Sequence, residues 1–189
     1  MAQAESLCTS DDTFPRLPLL RGSLHYFSQA YAAAIAELGA IVSDHPTYAL
    51  ARHMLAKALL GAGEYEQAQR HVEEALRVQY DPLRPGQPNA RERLMTLEVW
   101  TRKAAGDEAG ARAAAQRFEE FASNRPTSRI CSAFAALALG ERERALHYIR
   151  EGVERRDPLA LNVMAEPMFI PLRELAGWRD VAAALNIAS

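Results

Sequence analysis

Five histidines, His25, His45, His53, His71 and His147, are the first residues in the chain that could ligate a metal or move a proton. None has a second His or a Cys three or four residues away, so no helix face offers the paired ligands of a zinc site, and no metal is assigned. Cys131 is followed by the almost wholly apolar run SAFAALAL, where a thiol is an inert small hydrophobe rather than a nucleophile. The Gly61-Ala62-Gly63 stretch lacks the Lys-Ser/Thr pair that completes a phosphate cradle, and no G-x-S-x-G is present. Glu73-Glu74 and Glu119-Glu120 sit among basic neighbours, the pattern of a solvated helix face rather than of an acid-base pair. The chain is therefore read as a non-enzyme without a cofactor.

Composition narrows the classes further. In 189 residues, 22 Lys and Arg stand against 24 Asp and Glu for a formal charge of −2, which leaves no cationic field for nucleic acid. Hydrophobic residues make up 49% and charged residues 24%, enough apolar material for a folded core. No apolar run approaches the roughly 18 to 20 residues of a membrane span. Glu5, Asp11 and Asp12 lie where a secretory leader would be basic and then apolar. Cys8 and Cys131 have no CxxC spacing and form no disulfide framework, so the expectation is a cytoplasmic protein without membrane or nucleic-acid partners.

The elements that would position binding residues come from an internal repeat. Segments from Leu59, Lys103 and Leu137 superpose on Gly63, Gly106 and Gly140, and each Gly is followed at once by an acid and five positions on by Ala68, Ala111 or Ala145. The first two glycines are 43 residues apart and the next two 34; setting aside the nine turn-formers DPLRPGQPN at 81–89 restores 34 throughout. Each unit reads as a helix closed by a Gly in the left-handed conformation, then a second helix whose first acid suits the helix dipole. The small residue marks where the two helices approach most closely. Pro82, Pro126 and Pro158 end the second helices.

Period 34, the Gly, Tyr65, Ala68, Ala75 and the closing Pro82 together resemble the tetratricopeptide repeat. The tail EPMFIPLRELAGWRDVAAAL, with Pro167, Phe169, Pro171, Leu172, Arg173 and Trp178, resembles the closing segment of bacterial-type members. The resemblance implies an all-α, right-handed α-solenoid of antiparallel helix pairs. Its expected organisation is an irregular segment at 1–22, then one domain at 23–189. That domain divides into a partial repeat at 23–46, a repeat at 47–82, the insert at 81–89, repeats at 90–126 and 127–158, and a C-terminal cap at 159–189. In the third unit Glu98 and Arg102 fall where the family places apolar residues, and the stripe Leu94, Leu97, Ala104 suggests a first helix rotated by about one position.

The resemblance implies that first helices line a concave wall. Its candidate binding residues are His53, Met54 and Lys57, then Arg93, Trp100 and Lys103, then Ile130 and Phe134. They describe an apolar groove with a weakly basic fringe, suited to a peptide or protein segment with apolar anchors and acidic flanks. The family's Lys-and-two-Asn clamp for chaperone tails is not reproduced, since the second unit offers His53, Met54 and Lys57 at those places. The implied function is a non-catalytic interaction scaffold or adaptor. The alternative is a regulatory or sensor module of a larger bacterial transcription regulator or signalling enzyme, and the sequence leaves self-association open. On this reading Lys57→Glu keeps the parent's melting temperature while weakening partner binding, which a thermal melt beside a binding titration checks.

Overall fold

The computed structural model describes residues 15–77 and 90–185; Cys8, Pro82 and the insert expected at 81–89 lie outside them. In chain order come α1 (Arg16–Phe27), α2 (Tyr31–Asp44), α3 (Ala49–Ala62), α4 (Tyr65–Arg77), α5 (Ala90–Ala104), α6 (Glu108–Ser123), α7 (Arg129–Ala138) and α8 (Arg142–Glu154). Two 3₁₀ segments (Pro158–Asn162 and Pro167–Leu172) and α9 (Trp178–Ala184) complete the elements of the described residues, among which there is no strand. The helices pair as four successive hairpins, and α1, α3, α5 and α7 also stack side by side as an inner wall. This is the helical solenoid that the resemblance implies.

The hairpins close identically because the same local chemistry recurs. Gly63, Gly106 and Gly140 adopt φ of +82°, +81° and +83°. The N–H of the acid after each glycine reaches back to the carbonyl of Leu59, Arg102 or Ala136 at 2.9–3.0 Å. That left-handed closure satisfies carbonyls which the helix end would leave unpaired. The first hairpin makes the same closure without a glycine. Gln29 takes φ of 61°, and Ala30 N–H donates to the carbonyl of His25 at 2.8 Å. Gln29 lies 34 residues before Gly63, so the repeat continues upstream under a residue type that conceals it.

This corrects the expected partial repeat. α1 begins at Arg16, inside the segment read as irregular, and gives the first unit a full first helix. Pro18 does not prevent it: the first backbone bond of the helix runs from Leu19 N–H to the carbonyl of Pro15, so Pro18 lies in the turn whose N–H groups have no intrahelical acceptor.

Ala34, Ala68, Ala111 and Ala145 are all fully buried at the hairpin crossings. In the third hairpin a charged contact replaces an apolar one. Glu98, mostly buried, accepts from Arg102 Nε at 3.0 Å on its own helix and from Arg117 at 2.7 Å on α6. Leu94 and Leu97 are buried alongside it.

Two measurements follow from these contacts. Ala→Leu at position 68, 111 or 145 lowers stability by about 1–3 kcal/mol through overpacking, read by chemical denaturation against an exposed-site control. Gln29→Gly removes the left-handed penalty of a residue with a Cβ and raises stability by up to about 1 kcal/mol, whereas Gly63→Ala lowers it by a comparable amount.

Candidate functional site

The inner wall is not an open groove, because the C-terminal segment folds back across it. Glu166 stands immediately before the second 3₁₀ segment and accepts the N–H of Met168 at 3.3 Å, the way a capping side chain opens a helical turn. The same carboxylate forms an ion pair with Lys57 Nζ of α3 and accepts a hydrogen bond from the Tyr26 hydroxyl of α1. Lys57 is 5% exposed and Glu166 3%. The ammonium also sits 4.6 Å from the centroid of the Tyr26 ring and 5.1 Å from that of Phe134, so aromatic faces complete its surroundings. Burial pushes the Lys57 ammonium below the usual lysine range, opposed by the Glu166 carboxylate. Burial first, and then the charge of Glu166, hold the Tyr26 phenol well above its ordinary range. Phe169, three residues beyond Glu166, stacks on Phe134 with ring centroids 4.4 Å apart.

Lys57 is therefore not the free cation of a basic fringe. The expectation that Lys57→Glu leaves the melt unchanged is corrected: that change would enclose two carboxylates where one is now paired.

Beside this ion pair a partly enclosed cavity of about 70 Å³ remains. His53, Met54, Lys57, Arg93, Trp100, Ile130 and Phe134 line it, seven of the eight residues expected on the wall. Lys103 does not; its ammonium pairs with Glu108 at the start of α6. Trp100 is fixed across the wall by its indole N–H, which donates to the carbonyl of Phe134 at 2.9 Å. Sequence reasoning missed Phe27 of α1 and the cap residues Leu159, Asn162, Val163, Glu166 and Phe169 that close the other side. One signal was present in the residues themselves, since EPMF carries the acid and the apolar anchor expected of an external partner.

The polar groups of the cavity are unequal. Glu166 compensates Lys57, but Arg93 makes no ion pair among the described residues, and its Nε is shut off from solvent without a hydrogen-bond partner. Its neighbour Glu92, also buried, accepts the backbone N–H of Ser128 through Oε2 at 3.3 Å, while its Oε1 is without a hydrogen-bond partner among the described residues. His53 Nδ1 is likewise enclosed and unpartnered. Burial, then the charges of Lys57 and Arg93, keep its imidazole well below the ordinary value of 6.5. A buried polar atom left unpaired costs about 1–3 kcal/mol, so two of them converging on one cavity call for an explanation. Burial pushes the Cys131 thiol up, far from a reactive thiolate. Among the described residues no group of three or more His, Cys, Asp or Glu is placed to hold a metal ion, and no helix is long and apolar enough to cross a membrane.

A tetratricopeptide repeat model matches residues 28–84 of the chain. No curated protein and no solved structure matches it. The matched segment contains α2, α3 and the described part of α4, and the closures at Gly106 and Gly140 repeat its turn chemistry downstream.

Lys57→Met alone leaves Glu166 buried without its cation and lowers stability by about 3–5 kcal/mol, while Lys57→Met combined with Glu166→Leu recovers most of that loss in chemical denaturation. A pH series provides a separate check. With His53 held neutral in the fold, the unfolded chain takes up a proton as pH falls through about 6.5 and the folded chain does not. Stability therefore declines below that pH, and His53→Gln flattens the profile.

Proposed function

Residues 28–84 match a tetratricopeptide repeat model, and on that premise we propose that the chain is a non-catalytic interaction scaffold whose working surface is the mouth of the concave cavity. Repeats of this family generally mediate protein–protein interaction, and their stacked first helices present an extended inner face. One observation carries the reading. Residues from α3, α5 and α7 that are distant in sequence converge on a single cavity, and the only lining cation there without an acidic partner among the described residues is Arg93.

A partner segment with an acidic residue and an apolar anchor complements that mouth. Arg93 takes the acid, and the faces of Trp100 and Phe134 take the anchor. Lys57 supports the wall from beneath and does not meet the partner. A regulatory or sensor module of a larger protein is a second reading, favoured by the enclosure that the cap gives the cavity.

Affinity capture from the source cell with mass spectrometry identifies the partner, and variants then locate the contact. Arg93→Glu and Trp100→Ala each weaken binding by about tenfold or more at low salt, with the Arg93 effect shrinking as salt rises. Arg70→Glu, on the exposed face of α4, leaves it unchanged. The opposite pattern, with binding lost only in Arg70→Glu, overturns the concave-face reading.

A further inference from the structure

We infer that the cavity is a binding site for a small organic carboxylate, a monoanion on a short apolar body. The inference deepens the reading of the concave face and rests on that face being the working surface, but not on the partner being a protein. It stands on four features of the cavity taken together.

The first is charge. The lining holds Lys57, Glu166 and Arg93; the first two pair with each other, which leaves Arg93 as the lining cation without an ion pair among the described residues, attracted only at longer range by the buried Glu92 carboxylate outside the lining. A single negative charge balances it, whereas a multiply charged phosphate would leave negative charge enclosed. The second is shape at the charged end. A guanidinium presents a planar fork matched to a carboxylate, and the enclosed Arg93 Nε is a donor without an acceptor among the described residues. His53 Nδ1, equally enclosed and unpartnered on the same lining, is a second polar group available to a carboxyl oxygen. The third is the body of the cavity, where Met54, Leu97, Ile130, Phe134 and Phe169 supply apolar surface. An inorganic anion would leave that surface wet, and an alkyl chain covers it. The fourth is size. At roughly 30 Å³ per water, about 70 Å³ holds about two waters or a short chain of a few carbons, and not a folded peptide.

The carboxylate can come from a free short-chain acid or from an acidic side chain that a partner inserts, and the two sources separate experimentally. Propionate, butyrate, hexanoate and decanoate are titrated into the full-length protein by calorimetry, with butyramide and inorganic phosphate as controls. Two capped peptides, alike except for a central Glu or Gln, form a second arm. The expected result is saturable binding that is strongest for the acids of intermediate length and weaker by about tenfold or more for butyramide, phosphate and the Arg93→Gln variant. The Trp100 indole N–H resonance shifts on binding, and intermolecular proton contacts run from the acid's methylenes to the rings of Phe134 and Trp100. These contacts are read on the parent protein and decide the matter should Arg93→Gln fail to fold.

Tight binding of butyrate places the ligand as a free acid. Displacement of butyrate by the Glu peptide but not by the Gln peptide places it on a partner. The inference is overturned if no acid and no Glu peptide binds saturably, if butyramide or phosphate binds as well as butyrate, or if the contacts map to another surface. Acid binding that fails while Arg93→Glu still abolishes partner capture sinks this inference and leaves the scaffold reading standing. Acid binding with partner capture indifferent to Arg93 does the reverse.

Discussion

A lysine and a glutamate 109 residues apart, sealed from solvent with a tyrosine hydroxyl as third member, determine what kind of surface this solenoid presents. Desolvating two charges is costly, and the pair is tolerable only because Glu166 spends its remaining capacity on Tyr26 and on the N–H of Met168. Each partner belongs to a different part of the chain: α1, α3 and the segment after the last hairpin. The contact thereby ties the beginning of the array to its end and fixes where the cap must lie.

That placement converts a wall into a pocket. Four hairpins built on one plan would give an open inner face, with first helices side by side and nothing above them. Here Glu166 holds the cap over that face, and Phe169 reaches Phe134 as a consequence. The charge that would have marked the groove is consumed internally. What remains is a narrower opening whose polarity is decided by Arg93 and His53, both with enclosed nitrogens that no group among the described residues satisfies. A solenoid end needs covering because its last repeat otherwise exposes a receiving surface. In this chain the covering segment serves that end and also limits access to the inner wall.

The hairpins were legible because they are local. Gly63, Gly106 and Gly140 advertise left-handed closures, and Ala68, Ala111 and Ala145 advertise close helix crossings, each set within a few residues of the feature it specifies. The first hairpin was half hidden for an equally local reason. Gln29 adopts the same backbone geometry at an energetic cost, and Pro18 looks like a helix breaker until its place in the first turn is known. The cavity was legible in part: positions chosen by helix phase in α3, α5 and α7 do converge, while Lys103 is drawn away by Glu108 one turn beyond it.

By itself the sequence determined the period, the turns and the crossings, since each follows from backbone conformation and spacing within a single unit. Tertiary structure alone decided that Lys57 is buried and paired, that Arg93 is the cation left over, and that Tyr26, Phe27 and Glu166 belong to the site. The physical reason is the range of the interaction. Small rotations between successive hairpins accumulate along a solenoid, and their sum sets whether a segment more than a hundred residues downstream meets the first two helices of the inner wall. No spacing within a repeat records that sum.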